Sequence, residues 1–124
     1  MSENPEQPVY NNKRFKVRHY NFDLFVGPAA GQPIRDFTLT DLDTGEDVKL
    51  SDYHGKWLVL ETGSSTCSMY TKNIDGMAGL KADFPDVEFA MIYTREAHPG
   101  ERLHQHKNFD EKVAAAKFLK PRYN

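Results

Sequence analysis

Apolar and polar side chains alternate in two short runs between residues 36 and 50. Phe37 and Leu39 belong to the first run and Val48 and Leu50 to the second, with the polar, glycine-containing stretch Asp43–Glu46 between them. A period of two is typical of half-buried strands, and a short polar stretch with glycine between two such runs is typical of a turn. The pattern therefore predicts a β-hairpin over residues 36–50.

Two further strands are predicted downstream. The continuous apolar run Trp57–Leu60 is typical of a strand buried on both faces, and we expect this strand to reach residue 62. Residues 87–93 have apolar side chains at every second position and predict a second buried strand.

Two helices are predicted between and after these strands. Apolar residues at helical spacing indicate a helix over residues 67–83, which Pro85 would end. Asn108 is a good N-cap residue, and Glu111 follows three positions later, as in a capping box. The last helix would begin there and stop before Pro121.

The order strand, helix, strand, helix indicates an α/β fold in which the two strands are parallel. In open α/β sheets, active residues gather where the carboxyl ends of the strands lead into helices. Cys67 follows the first of these strands, and Glu96 and His98 follow the second. Reactive side chains from two separate segments are therefore expected at one edge of the sheet.

With 124 residues the chain is long enough for one domain. We expect residues 1–30 to form an N-terminal tail with an extended segment, and residues 31–124 to form a single domain. The 16 basic and 18 acidic residues leave a net charge of −2, which gives no reason to expect nucleic acid or an anionic membrane as a partner. The sequence has neither a signal-peptide pattern nor an apolar run of about 20 residues. A soluble cytoplasmic protein is the expectation.

Cys67 is the only cysteine, so an internal disulfide is excluded and a reducing compartment is expected. A thiol reacts as its thiolate, which a helix N-terminus favours through unpaired N–H groups and a partial positive charge. A buried, inert cysteine is the alternative. The polar run Gly63–Ser68 around Cys67 favours the reactive interpretation.

His98 is a candidate general acid or base that Glu96 could tune, and a surface histidine in a turn is an equally good interpretation. The His104-x-His106 pair is a weak metal signal, and no second group of ligands accompanies it. No glycine-rich phosphate loop is present. A bound metal or other cofactor is therefore not predicted.

Three segments together resemble the iodothyronine deiodinase family. Residues 56–67 (KWLVLETGSSTC) are similar to its strand followed by Gly-Ser-Cys-Thr-selenocysteine-Pro. Residues 93–99 (YTREAHP) resemble its Tyr-Ile-Glu-Glu-Ala-His-Pro segment, and residues 105–117 (QHKNFDEKVAAAK) resemble its Gln-His-Arg helix. The resemblance covers residues 49–119, and it implies a thioredoxin-like fold.

The resemblance implies reductive removal of iodide from an aryl iodide. Cys67 takes the position of the catalytic selenocysteine, and its thiolate would attack iodine. The implied proton-handling and substrate-contacting residues are His98, Glu96 and His106. The implied substrate-binding residues of the active-site wall are Ser64, Ser65, Thr66 and Tyr93.

Ser65 and Ser68 stand where the family has a cysteine and a proline, so recycling of Cys67 is expected to need an external thiol such as thioredoxin or glutathione. The chain ends at Asn124, and the family's remaining strands, terminal helix and substrate-binding arginine have no counterpart in it. We expect either a truncated form or a second chain that completes the sheet, for example in a homodimer through the exposed strand edge.

Two other functions fit the same residues. A one-cysteine, peroxiredoxin-like thiol peroxidase would use Cys67 to reduce hydroperoxides, with Ser64 at the hydroxyl position of that motif and Leu60 where the motif has proline. A non-catalytic module that oligomerises through its sheet edge would be indifferent to the loss of Cys67.

Overall fold

The computed structural model of the protein describes residues 27–123, and side-chain surroundings up to residue 119. The N-terminal tail and nearly all of the extended segment predicted for residues 1–30 lie outside the described residues. Within them, no helix is long and apolar enough to cross a membrane.

The predicted hairpin is confirmed. Strand β1 (Thr38–Thr40) pairs antiparallel with β2 (Asp47–Lys49), so that Leu39 lies opposite Val48. Gly45 in the turn has φ of +73°, a left-handed conformation that glycine adopts without steric cost. A short 3₁₀ helix at Leu50–Tyr53 follows β2 directly.

The predicted parallel unit is also confirmed. The elements are β3 (Leu58–Gly63), α1 (Ser68–Asp83), β4 (Glu88–Tyr93) and α2 (Phe109–Tyr123). Strands β3 and β4 are parallel, in a register that runs from Leu58 opposite Glu88 to Gly63 opposite Tyr93. The carboxyl ends of both strands therefore meet at one edge, as the sequence predicted.

Three details of the prediction were wrong. Strand β3 is not buried on both faces, because Val59 and Leu60 are 37% and 36% exposed. Among residues 27–123 it has only β4 as a sheet neighbour, so its other edge is open. Strand β4, which was predicted to be buried, is only half-buried along its whole length. Helix α2 does not stop before Pro121 but continues to Tyr123. A proline removes one backbone N–H, and here that loss does not end the helix.

The helices pack on the sheet through a small apolar cluster. Tyr70 and Ile74 of α1 and Leu119 of α2 are buried together, with Cys67, Met91 and Tyr93 partly buried against them. Gly63 lies directly under the Tyr70 ring, since a Cβ atom at Gly63 would come within 3 Å of three carbons of that ring. This close approach holds the first turn of α1 against the end of β3.

Candidate active site

The site is built from the two loops that follow β3 and β4. Thr94 begins the second loop, and both its backbone N–H and its hydroxyl donate to the carbonyl oxygen of Gly63, at 2.9 and 3.1 Å. Parallel pairing thus continues one residue past the strands. It brings the loop of residues 64–67 beside the loop of residues 94–98.

Glu96 lies at the centre of this region and is completely buried. Its Oε2 atom accepts two hydrogen bonds from Thr66, one from the backbone N–H at 3.1 Å and one from the hydroxyl at 2.7 Å. Its Oε1 atom accepts a hydrogen bond from the hydroxyl of Tyr93. A buried carboxylate is costly unless donors replace its water, and these three donors do so.

Two further contacts hold the loops together. Ser64 is completely buried, and its Oγ atom accepts a hydrogen bond from the backbone N–H of Ala97 at 3.1 Å. The hydroxyl oxygen of Thr66 accepts one from the backbone N–H of His98, also at 3.1 Å. The backbone of His98 is therefore fixed beside Thr66, while its side chain is exposed.

Tyr93 connects the Glu96 carboxylate to the loop of residues 64–67. Its hydroxyl oxygen accepts a hydrogen bond from the Ser65 backbone N–H at 3.0 Å and lies 3.0 Å from Ser65 Oγ. Burial, and then the hydrogen bond to Glu96, raise the pKa of Tyr93 to about 12. The phenol consequently keeps its proton at neutral pH and acts as a donor to Glu96.

Cys67 lies at the start of α1, as predicted; it is the N-cap residue, and its side chain makes no capping hydrogen bond. Its carbonyl oxygen accepts from the Thr71 backbone N–H at 3.0 Å, which begins the helix. The half-buried thiol packs against the apolar cluster. A thiol at this position lies next to the unpaired N–H groups of the first helical turn.

The segment before α2 adds two side chains. Gln105 binds the main chain of Glu96: its Oε1 atom accepts from the Glu96 N–H at 2.8 Å, and its Nε2 atom donates to the Glu96 carbonyl at 3.0 Å. The Nδ1 atom of the neighbouring His106 is buried and has no hydrogen-bond partner among the described residues. Burial is the main cause that lowers the pKa of His106, and the positive charge of Lys112 is the next.

The predicted site residues fall into two groups. Five of them form one hydrogen-bonded network: Ser64, Ser65, Thr66, Tyr93 and Glu96. Cys67 follows this network directly in the chain, and His98 and His106 are linked to it through the backbone and through Gln105. Gln105 itself was missed, although it stands beside His106 in the third segment that resembles the deiodinase family, residues 105–117. Within residues 27–123, no group of three or more histidine, cysteine, aspartate or glutamate side chains is arranged to hold a metal ion.

Comparison with known proteins shows what this chain is similar to. The sequence model of the iodothyronine deiodinases matches residues 8–124. The chain is also 30% identical, over 82 residues, to a protein of Arabidopsis thaliana named putative glutathione peroxidase 7, chloroplastic. That match covers 66% of this chain and 35% of the plant protein, so the chain spans about a third of that relative's length.

A parallel β-α-β-α unit, together with these two matches, defines a thioredoxin-like redox protein. Within that class, the chain belongs to the iodothyronine deiodinase family.

Proposed function

We propose that this protein removes iodide reductively from an aryl iodide, with the Cys67 thiolate as nucleophile and an external thiol as reductant. One observation carries the proposal: the buried carboxylate of Glu96 is bonded twice to Thr66, the residue that precedes Cys67. A buried carboxyl group is thereby bonded to the residue next to Cys67 in the chain. The family match supports the choice of an iodinated substrate.

The proposed reaction has two steps. In the first, the thiolate sulfur attacks iodine, the carbon–iodine bond breaks, and the ring carbon takes a proton; the products are the deiodinated ring and a sulfenyl iodide on Cys67. In the second, two external thiols reduce the sulfenyl iodide, which gives iodide, the free Cys67 thiol and one external disulfide. Because Cys67 is the only cysteine in the sequence, no second cysteine of the chain can take part.

The proton for the ring carbon is assigned to the histidines. The exposed His98 side chain can exchange protons with solvent, and its backbone is fixed beside Thr66. His106 lies near enough to Glu96 to feel its negative charge. Three hydroxyl side chains of the same network are only half-buried and would contact the substrate: Ser65, Thr66 and Tyr93. Ser64 is completely buried, so it would hold the two loops together rather than bind the substrate as the sequence predicted.

A second candidate function is reduction of hydroperoxides, which the similarity to the plant putative glutathione peroxidase favours. In this reaction the Cys67 thiolate attacks the peroxide, the oxygen–oxygen bond breaks, and the products are an alcohol and a sulfenic acid on Cys67. Two external thiols would then restore the thiol and release water and a disulfide. Both functions need Cys67, and they differ in substrate.

Parallel assays with an iodinated phenol and with a hydroperoxide, each with excess thiol, test the proposal. We expect iodide release at a rate above that of peroxide consumption, its loss in Cys67→Ser, and a decrease of about 100-fold in His98→Ala, the low end of general acid catalysis. His54→Ala, which changes an exposed histidine outside the site, is the matched control and should keep full activity. Fast peroxide consumption without iodide release would favour the second function, and full activity of Cys67→Ser would reject both.

A further inference from the structure

We propose that Gln105 is a positioning residue of this site: its side-chain amide holds the Glu96 main chain, and so keeps the Glu96 carboxylate beside Thr66 and fixes His106 relative to Glu96. Its effect on catalysis rests on the proposed function. Its effect on the geometry of the network does not.

The Gln105 side chain bonds the Glu96 backbone in the way that a neighbouring β-strand would. The amide of Gln105 both accepts from the N–H and donates to the carbonyl of Glu96, at 2.8 and 3.0 Å. In an antiparallel pair of strands, the residue opposite would make the same two bonds with its own backbone carbonyl and N–H. Glu96 is completely buried, so water does not compete for these bonds. The backbone of Glu96 is thus fixed from one side by Gln105, while its carboxylate is fixed from the other side by Thr66 and Tyr93.

The same two bonds determine where His106 lies, because His106 is the next residue in the chain. Its Nδ1 atom is buried without a partner among the described residues, so hydrogen bonds of its own ring nitrogen do not hold it there. The charged groups that act on its imidazole come from the loop after β4 and from α2: Glu96, Arg95, Glu111 and Lys112. The two hydrogen bonds between Gln105 and Glu96 therefore fix the position of the His106 imidazole relative to the loop after β4.

Loss of Gln105 would leave a buried N–H and a buried carbonyl of Glu96 unpaired. The loop after β4 would then move to reach water, and the Glu96 carboxylate would leave Tyr93. Among the described residues, the side-chain hydrogen bonds of Gln105 go to Glu96 and none goes to Cys67. Loss of Gln105 should therefore leave the reactivity of the Cys67 thiol unchanged. An unchanged thiol distinguishes a positioning role of Gln105 from a direct catalytic role.

Titration of Tyr93 and His106 in Gln105→Ala tests the inference without any substrate. The absorbance of tyrosinate, as a difference from Tyr93→Phe, should show that the pKa of Tyr93 falls from about 12 toward 10, because burial and then the bond to Glu96 raise it in the wild type. The NMR titration of His106 should shift upward as solvent reaches the ring. Gln32→Ala, which changes an exposed glutamine in the loop before the hairpin, should leave both titrations unchanged. Unchanged titrations in Gln105→Ala would overturn the inference.

Gln105→Glu has nearly the same shape and keeps the bond from the Glu96 N–H, but its carboxylate cannot donate to the Glu96 carbonyl. Gln105→Glu provides the same test if Gln105→Ala does not fold.

Kinetics of iodide release test the role in catalysis. Both variants should lower kcat by about 10- to 100-fold, as expected for a misplaced catalytic group, with little change in KM. The pH dependence of Cys67 alkylation should stay that of the wild type. Shifted titrations with an unchanged kcat would reject the positioning role of Gln105 in catalysis. If the wild type releases no iodide, the proposed function is rejected, and the titrations of Tyr93 and His106 alone test the effect of Gln105 on the network.

Discussion

Thr66 donates two hydrogen bonds to a single oxygen atom of Glu96, at 3.1 Å from its backbone N–H and at 2.7 Å from its hydroxyl. The same hydroxyl oxygen accepts the backbone N–H of His98 at 3.1 Å. One threonine therefore links the loop that carries Cys67 to the loop that carries the acid–base candidates. Because Glu96 is completely buried, removal of any member of this link should be costly.

The first prediction concerns the carboxylate of Glu96. Glu96→Ala would leave the backbone N–H of Thr66 buried and unpaired, and we expect it to lower the free energy of unfolding by about 1–3 kcal/mol. Urea unfolding measures this as a shift of the midpoint at constant slope. Glu101→Ala, at an exposed loop position, is the matched control and should change stability by less than about 0.5 kcal/mol. Equal stability of the two variants would show that the network is not held by Glu96.

The second prediction concerns stability at alkaline pH. The folded state raises the pKa of Tyr93 from 10.0 to about 12, so between these values the unfolded chain releases the phenolic proton and the folded chain keeps it. The contribution of Tyr93 to stability is therefore complete below pH 10 and is lost as the pH rises toward 12. Tyr93→Phe should show a smaller decrease in the free energy of unfolding across this window than the wild type. Tyr53→Phe is the control, and an identical slope in Tyr93→Phe would contradict the assignment.

The third prediction concerns stability in mild acid. Burial lowers the pKa of His106 below its ordinary value of 6.5. Below pH 6.5 the unfolded chain therefore binds a proton that the folded chain does not, and stability falls until the pH reaches the lowered folded-state value. His106→Asn should remove part of this decrease in thermal unfolding, whereas His104→Asn, at an exposed position, should not. A wild-type profile in His106→Asn would mean that burial of His106 has no effect on its charge.

The fourth prediction concerns the contact between Gly63 and Tyr70. A Cβ atom at Gly63 would come within 3 Å of three ring carbons of Tyr70, whose side chain is only 6% exposed. We expect Gly63→Ala to destabilise the fold by about 1–3 kcal/mol, as overpacking of a core does. Gly76→Ala adds the same methyl group to α1, where nothing lies within 4 Å, and should stabilise by up to about 1 kcal/mol through helix propensity. The opposite signs of these two changes, measured by thermal unfolding, are the specific expectation.

The sequence was sufficient for the elements whose signal is local. The turn at Gly45, the start of a helix at Cys67 and the N-cap at Asn108 each depend on a few neighbouring residues, and the structure has all three. The capping box was correct only in part, since Glu111 accepts from the Lys107 N–H at 2.7 Å, one residue before the N-cap. The exposure of Val59 and Leu60 was not predictable from the run itself, because an apolar run does not say which elements cover it.

In the site, too, the placement of residues by the order of elements was predictable, whereas contacts between distant residues were not. The order of strands and helices was enough to bring Cys67, Glu96 and His98 to one edge of the sheet. The role of Gln105 could not be deduced in this way, because its partners are the N–H and carbonyl of Glu96, nine residues away. Every residue has a backbone carbonyl and nearly every one an N–H, so the sequence does not indicate which of them a side chain will bind. The raised pKa of Tyr93 likewise depends on burial and on one contact across a loop.

The central claim is that the sulfur of Cys67 takes iodine from the substrate. A single-turnover experiment without any reducing thiol tests it most directly, with the deiodinated phenol quantified against enzyme. We expect a burst that stops at about one product per Cys67, because the sulfenyl iodide has no thiol to reduce it, and continued turnover once thiol is added. Ser68→Ala, which changes the neighbouring residue, should keep the burst, and Cys67→Ser should lose it. Absence of the burst in the wild type, or a burst of equal size in Cys67→Ser, would contradict the claim.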